Sequence, residues 1–355
     1  MKLIFLSGAV FLMALLLFGL GCDRKVTFEP SDDQASLGSC FTCHGEDGLL
    51  LAAKGEWQNS IHASGNNVDY TNRGGRNCPQ CHDHQGFVDY VSTGVISPPY
   101  NQVSAIHCFT CHSPHERGNL TLRVESSYTL ANNDIFNHGS ANLCVNCHHS
   151  TFNANSITDS VTLSNRWGPH HGPQGDLLVG TGGYEYEDYV YETSPHAFAV
   201  DDACIGCHMG NPEIHNGYQT GGHSFNMVYI NEKENDTITL VSLCADSACH
   251  PGAVTYDING AQTEIEGLLE DLRVLLYAGG YIDDENLPTS VKVNKEIAGA
   301  VLNFLLIYED RSRGIHNYKY MKGLLESAIE YMEGISPVSN GRNGSFSMFR
   351  PRAAH

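Results

Sequence analysis

Apolar and polar positions divide the chain into three parts. An uncharged apolar run covers residues 3–21, the segment 40–255 shows no sustained helical period, and residues 256–334 carry amphipathic stretches. Glycine, asparagine and serine are frequent in the middle part, and they favour loops and turns. The pattern therefore predicts a loop-rich, mostly irregular and helical domain over 40–255, a small helical bundle over 256–334 and a mobile polar tail over 335–355.

Apolar residues recur every three or four positions in the last third, as expected for helices that bury one face. The predicted helices cover about 262–278, 290–309 and 317–333. Thr263 and Glu266 are spaced as a capping box for the first helix, and Gly279-Gly280 as its stop. The stripe predicted for the second helix is Ile297, Val301, Phe304, Leu305 and Tyr308. These stripes indicate packing surfaces rather than binding grooves.

The apolar run at the start follows Lys2 and predicts an export signal over residues 1–21. Cys22 comes directly after Gly21, where a lipoprotein signal is cut and the new terminal cysteine is acylated. An uncleaved membrane helix is the alternative, because 19 apolar residues are just long enough to span a bilayer. In both interpretations the start of the chain lies at a membrane. Residues 22–39 are predicted to form a linker.

Twelve of the 13 cysteines fall into six motifs that each end in histidine. The motifs are CFTCH (40–44), CPQCH (78–82), CFTCH (108–112), CVNCH (144–148), CIGCH (204–208) and CADSACH (244–250). Cys-x-x-Cys-His is the attachment signal of c-type haem. The two thiols form thioethers to the haem vinyl groups, and the following imidazole reaches the iron. The sixth motif has a longer loop, which the same chemistry tolerates.

The sequence therefore predicts six covalent haem c groups and their iron ions. The predicted attachment residues are Cys40, Cys43, Cys78, Cys81, Cys108, Cys111, Cys144, Cys147, Cys204, Cys207, Cys244 and Cys249. The predicted proximal ligands are His44, His82, His112, His148, His208 and His250.

Zinc sites and disulfide frameworks also use paired cysteines. Neither explains why a histidine follows the second cysteine in all six cases. Haem attachment does explain it, because that histidine is the iron ligand on the proximal side.

The distal ligands decide between electron transfer and catalysis, and 13 further histidines are available for six irons. Methionine is scarce outside the apolar start, so histidine on both sides of nearly every iron is expected, with low potentials. The favoured distal ligands are His62, His107, His170, His171, His196 and His223. The second choices are His84, His115, His149 and His316, and the weakest are His138, His215 and His355.

The formal charge of −20 becomes more negative once haem propionates are counted. Nucleic acid and anionic lipid surfaces are therefore poor partners. Basic redox carriers or metal cations fit the charge better.

Several strings are more specific than the bare motif. They are CPQCHDHQGF (78–87), IHCFTCHSPHERG (106–118), NLCVNCHHS (142–150), GPHHGPQGDLLVGTGGYEY (168–186), SPHAF, CIGCHMG and GGHSF. Over residues 56–230 the chain resembles the multihaem outer-surface cytochromes of the Omc type from metal-reducing bacteria. DRSRGIHNYKYMKGLLESAI (310–329) also resembles a helical tail of multihaem cytochromes. The resemblance implies stacked bis-histidine haems that pass electrons to extracellular acceptors, in some members within self-associated filaments.

The first functional hypothesis is an electron carrier, not an enzyme, that is exported and anchored in the periplasm or at the outer membrane and cell surface. The alternative is a reductase of nitrite, hydroxylamine or a similar small compound, which needs one open iron. No motif carries the lysine that often marks such an iron, but CADSACH could be open. A third hypothesis gives the helical domain a docking role, towards a membrane conduit or a second copy.

Overall fold

The computed structural model describes residues 48–64, 70–72, 77–117, 119–210, 220–233, 235–246 and 248–335. The predictions for the export signal, Cys22, the first motif, His215, His355 and the tail lie outside these residues. Among the described helices, none is both long and apolar enough to cross a membrane.

Short helices dominate the described residues before 211. They are α1 (Gly48–Gln58), α2 (Ile61–Ser64), α3 (Pro79–His82), α4 (His84–Thr93), α5 (Cys108–Cys111), α6 (Pro114–Arg117), α7 (Ala141–Val145), α8 (Gln174–Val179), α9 (His196–Ala199) and α10 (Cys204–His208). Four of them, α3, α5, α7 and α10, contain motif cysteines. Each of these motifs therefore folds as a single helical turn, with loops between the turns.

Strands are short and occur in antiparallel pairs. The described strands are β1 (Tyr128–Thr129), β2 (Ile135–Phe136), β3 (Ser160–Thr162), β4 (Val228–Asn231), β5 (Asp236–Thr239) and β6 (Lys292–Asn294), paired as β1 with β2, β3 with β6 and β4 with β5. The β3–β6 pair places Val161 opposite Val293 and links two distant parts of the chain. The predicted irregular, mainly helical fold is confirmed.

Three longer helices form the C-terminal part of the described chain. They are α11 (Ala261–Ala278), α12 (Lys295–Asp310) and α13 (Tyr318–Ile335). The prediction for α12 was wrong at its start, which lies at Lys295 rather than near residue 290, because residues 292–294 form β6 against β3. The predicted stripe was also too narrow, since α12 is buried on all sides from Ala298 to Ile307.

The predicted capping box of α11 was wrong. The helix begins at Ala261, and the carboxylate of Asp257 accepts bonds from the backbone N–H groups of Gln262 (2.8 Å) and Thr263 (3.2 Å). Glu266 instead pairs with Arg313 at 2.9 Å. The predicted stop is correct, because α11 ends at Ala278, Gly279 caps it and the next residue, Gly280, has a φ of +73°. A glycine tolerates that left-handed conformation best.

The apolar core of the three long helices extends into the middle of the chain. Leu163 and Leu177 are fully buried in the same cluster as Leu272, Leu302 and Leu324. Three tyrosines from the segment 184–191 pack against this cluster from outside: Tyr184, Tyr186 and Tyr191. The helical bundle thus folds onto the loop-rich part and fixes the loops beside it.

The N-terminus of α12 offers a direct stability test. Asn294 caps the helix, because its Oδ1 accepts the N–H of Ile297 at 2.9 Å. We expect Asn294→Ala to cost about 1 kcal/mol, the usual value for a lost cap. That is a fall of roughly 2–4 °C in the unfolding midpoint of a domain of 150–250 residues, measurable by circular dichroism. Asn294→Asp keeps an acceptor and should unfold within about 1 °C of the parent; an equal fall in both variants would contradict the capping role.

Candidate functional site

The predicted haem-attachment residues of the described chain line one cavity of about 3500 Å³. It is lined by both cysteines and the histidine of motifs two to six. Pockets for a single small ligand measure roughly 300–1,000 Å³. The cavity is therefore large enough for several ligands side by side.

Motifs two to six fold so that the histidine follows the two thiols in a closed turn. The N–H of His82 donates to the carbonyl of Cys78 at 3.0 Å, and that of His112 to Cys108 at 2.9 Å. The sixth motif closes with the same bond, from His250 to Cys244 at 3.1 Å. Its longer loop is held by Asp246, whose carboxylate accepts the N–H of Ala248 at 2.8 Å. The stretched motif thus reproduces the geometry of the regular ones.

Every described motif histidine faces a second histidine across the cavity. The pairs, with the distances between ring centroids, are His82 and His170 (6.2 Å), His112 and His223 (6.3 Å), His148 and His62 (6.1 Å), His208 and His316 (6.3 Å), and His250 and His196 (6.1 Å). A metal–imidazole bond is about 2 Å, and a ring centre lies about 1.2 Å beyond the bonded nitrogen. Two imidazoles on opposite sides of one metal ion therefore have centroids about 6.4 Å apart. All five pairs have the spacing that an iron between them requires.

Second-sphere acceptors orient several of these rings. The Nδ1–H of His208 donates to the carbonyl of Phe225 at 3.0 Å, and that of His196 to the carbonyl of Ile315 at 2.6 Å. His148 donates to Oε1 of Gln174 at 3.2 Å. A histidine that donates through Nδ1 keeps the lone pair of Nε2 free for a metal.

Burial lowers the pKa of five of the ten paired imidazoles and so favours the neutral form that binds metals. Burial, helped by nearby His148, lowers the pKa of His62 to about 4. Burial also lowers the pKa of His82 and His208. His316 differs: burial acts to lower its pKa, but the neighbouring Asp310 carboxylate outweighs this effect and the net shift is upward.

The partners of the motif histidines come from distant parts of the chain. His62 lies on α2 and faces a histidine 86 positions later in the sequence. His223 lies in a short turn whose backbone N–H donates to Glu56 on α1 at 2.9 Å. His316 lies between α12 and α13, so the helical bundle supplies one of the five partners.

The other described histidines that were predicted as ligands or weaker candidates have different neighbours. The rings of His84 and His107 lie 4.1 Å apart, and His171 contacts Glu309 at 3.0 Å. His149 is bonded on both ring nitrogens, to Tyr128 and to the carbonyl of Ser150. Two more rings lie against phenylalanines: His115 against Phe109 and His138 against Phe136 and Phe198.

Motif cysteines of different motifs lie close together. Cys81 of the second motif is 3.9 Å from the carbonyl of Asn146, and Cys147 of the fourth is 3.8 Å from the carbonyl of Gln80. Cys144 of the fourth motif and Cys204 of the fifth also hydrogen-bond through their thiols, which raises the pKa of Cys204. These thiols occupy the positions of the thioether sulfurs in a haem-loaded chain, so groups attached there would be neighbours.

Apolar side chains that are exposed to solvent also line the cavity. Ile61 is 70% exposed and Ile230 is 66% exposed, yet both face the space between the motifs. A large apolar cofactor in the cavity would cover them. The residues present thus fit haem in three respects: paired thiols, paired imidazoles and an apolar lining.

Haem-attachment motifs around a shared cavity, each with a second imidazole opposite, define a multihaem c-type cytochrome. Among curated proteins the chain is similar to the C-type polyheme cytochrome OmcB of Geobacter sulfurreducens, with 23% identity over 358 residues, 84% of this chain and 44% of the relative. OmcC of the same organism is 23% identical over 360 residues, 85% of this chain and 43% of the relative. The predicted resemblance to Omc-type cytochromes is confirmed. The chain spans less than half the length of these relatives.

Two solved structures are also similar. The outer cell wall cytochrome OcwA matches with 20% identity and a TM-score of 0.49, over 78% of this chain and 49% of that one. An undecaheme cytochrome from the S-layer of Carboxydothermus ferrireducens matches with 22% identity and a TM-score of 0.45, over 78% and 41%. No family model matches the chain.

Proposed function

We propose that the chain relays electrons along six covalently bound, mainly bis-histidine haems in extracellular or periplasmic respiration. One observation carries the proposal: all five described motif histidines face a second imidazole at 6.1–6.3 Å. An iron with both axial positions filled exchanges electrons but has no place for a substrate. Haem supplies one-electron chemistry, and the chain supplies ligation, orientation and the exclusion of water.

The ligand assignment follows from the pairs. We assign His170, His223, His62, His316 and His196 as the distal ligands of the second to sixth haems, in that order. The first haem uses Cys40, Cys43 and His44, and takes its distal ligand from His84, His107 or His115. His107 was favoured among them from the sequence, and its ring lies 4.1 Å from that of His84.

Proximity between motifs supports a relay rather than isolated centres. The second and fourth motifs meet through the Cys81–Asn146 and Cys147–Gln80 contacts, and the fourth and fifth through Cys144 and Cys204. Haems attached to these cysteines would lie side by side. Electrons could then pass between neighbouring haems without leaving the protein.

The same pairing weighs against a reductase of nitrite or hydroxylamine. Such an enzyme needs one iron with a free axial position, and the sixth motif was the strongest candidate in the sequence. His250 of that motif has His196 opposite at 6.1 Å, as close as any other pair. The electron-carrier proposal therefore has the stronger support.

The setting of this relay is part of the proposal. Export, acylation at Cys22 and a surface or periplasmic location agree with covalent haem attachment and with the surface cytochromes among the similar proteins. The net charge of −20 favours basic redox proteins or extracellular metal acceptors as partners. Self-association and a docking role of the helical domain stay predictions.

Haem count and spin state test the proposal together. We expect the intact mass of the exported protein to include six haems, and the ferric protein to give only low-spin signals by electron paramagnetic resonance, because strong ligands fill both axial positions. Reduction should follow a series of one-electron steps at low potential. A stoichiometric high-spin signal in the parent protein, with nitrite-dependent turnover, would replace the relay by the reductase.

A further inference from the structure

A buried carboxylate stands directly behind one of the paired histidines. Asp310 is the last residue of α12, and its side chain is 0% exposed. Its Oδ1 accepts the Nδ1–H of His316 at 2.6 Å. Its Oδ2 accepts the backbone N–H of Ser312 at 3.1 Å and also the hydroxyl of that serine. Three donors thus hold the carboxylate in one position, facing one imidazole.

The bonds from Ser312 hold the turn after α12, and the third bond ties the carboxylate to His316. Burial of an anion costs free energy unless it is paired and hydrogen-bonded. The C-terminal end of a helix adds to this cost, because the helix dipole is negative there. The hydrogen bond to His316 offsets both the cost of burying the anion and the unfavourable helix dipole. The buried position of Asp310 therefore indicates a role tied to that histidine.

The other described second-sphere acceptors at hydrogen-bond distance from a paired ring are neutral. His208 and His196 donate to backbone carbonyls, and His148 donates to an amide oxygen. Glu56 is the nearest comparable carboxylate, but it lies 3.6 Å from Nδ1 of His223, beyond a normal hydrogen bond. A charged acceptor therefore sets His316 apart from His208, His196, His148 and His223.

We propose that Asp310 is a positioning and tuning residue for the fifth haem and lowers the potential of that haem. The inference rests on the proposed function, because it takes His316 as the distal ligand of the iron bound by His208. An anionic acceptor at Nδ1 draws the proton away from the ring and makes Nε2 a stronger donor. A stronger donor stabilises ferric iron more than ferrous iron, and the potential falls.

The charge at this position can be removed without removing the hydrogen bond. Asp310→Asn leaves an amide oxygen that can accept from His316, while its NH2 group faces Ser312, whose hydroxyl can accept a hydrogen bond. In the full-length, haem-loaded protein we expect one midpoint potential to rise while the others stay in place. Changing a residue that hydrogen-bonds a metal ligand typically lowers metal affinity 10–100-fold. If the preference for ferric over ferrous iron falls tenfold, the midpoint potential rises by about 59 mV for a one-electron step. The variant should stay low-spin with altered g values, and Asp310→Glu should restore most of the potential.

Glu309 provides the matched control. It precedes Asp310 on the same helix and is also buried, but its carboxylate contacts His171 rather than His316. Glu309→Gln removes an equal charge at nearly the same depth, and we expect it to leave the fifth potential unchanged. If the potential of the fifth haem rose equally in both variants, loss of any negative charge in this region would explain the rise. That result would overturn the specific role of Asp310.

The outcomes separate this inference from the proposed function. A low-spin parent with six haems and unchanged potentials in Asp310→Asn would overturn the tuning role alone. A high-spin ferric signal in the parent protein would instead overturn the ligand assignment, on which the tuning role depends. If Asp310→Asn does not fold, Ser312→Ala decides: it removes one donor from the carboxylate, which then draws more strongly on His316, so one potential should fall. An unchanged potential in that variant would overturn the tuning role.

Discussion

His316→Ala is expected to convert one haem from low-spin to high-spin ferric iron. His316 faces His208 with 6.3 Å between the ring centroids, and alanine leaves no donor on that side. Loss of one imidazole weakens the ligand field and destabilises ferric iron, so the potential of that haem should rise. Axial ligands set haem potentials over a range of about 0.8 V, and the effect of this variant should exceed that of Asp310→Asn. Electron paramagnetic resonance and a spectroscopic redox titration measure both changes.

His138→Ala is the control for this experiment. The ring of His138 lies against Phe136 at 4.8 Å and Phe198 at 5.5 Å, and faces no described motif histidine. We expect its loss to leave all spin states and potentials as they are. Identical spectra for His316→Ala and the parent would remove His316 from the ligands and return the helical bundle to a purely structural role.

Local features of the chain were predictable because their causes are local. A thioether turn needs two cysteines and a histidine in sequence, so the motifs could be read directly, even in the stretched form at 244–250. The closing bond from His250 to Cys244 explains why the longer loop keeps the same geometry. Helices α11 and α13 were also predicted to within a few residues, because amphipathic spacing reflects their one-sided burial.

Non-local contacts explain what could not be predicted. The start of α12 depends on β3 (Ser160–Thr162), a strand from a much earlier part of the chain, which pairs with residues 292–294. The full burial of α12 depends on neighbours from the segment 154–191, which its own apolar stripe does not reveal. Sequence spacing likewise carries little information about which side chain approaches a cofactor from the far side.

The distal histidines illustrate this limit. His62, His170, His196 and His223 were favoured from the sequence, and each faces a motif histidine in the structure. His316 was a second choice, because it belongs to the helical part, far from its motif in sequence. Asp310 gave no signal of its own: an aspartate at a helix end is usually a solvated residue, and only the fold shows it buried against an imidazole.

The sixth haem decides whether the chain can bind a small substrate. His196 faces His250 with 6.1 Å between the ring centroids, and its Nδ1–H is held by the carbonyl of Ile315 at 2.6 Å. That bond fixes the ring with Nε2 towards the motif. We expect the reduced parent protein to bind no carbon monoxide at this haem, and His196→Ala to bind it in a ratio of one per protein. Optical difference spectra before and after addition of the gas measure the binding.

The same variant, His196→Ala, also tests whether His196 prevents small substrates from binding to the sixth iron. With one axial position free, His196→Ala should gain a single high-spin ferric signal and an ability to bind nitrite or hydroxylamine, while its other haems keep the spectra of the parent. His149→Ala serves as the control, because both ring nitrogens of His149 are hydrogen-bonded, to Tyr128 and to the carbonyl of Ser150, and are not available to an iron. If the parent already bound one carbon monoxide and His196→Ala added none, the sixth iron would be open in the native protein. The chain would then combine a relay of five haems with one reactive centre, and the stretched motif would mark the site of reduction.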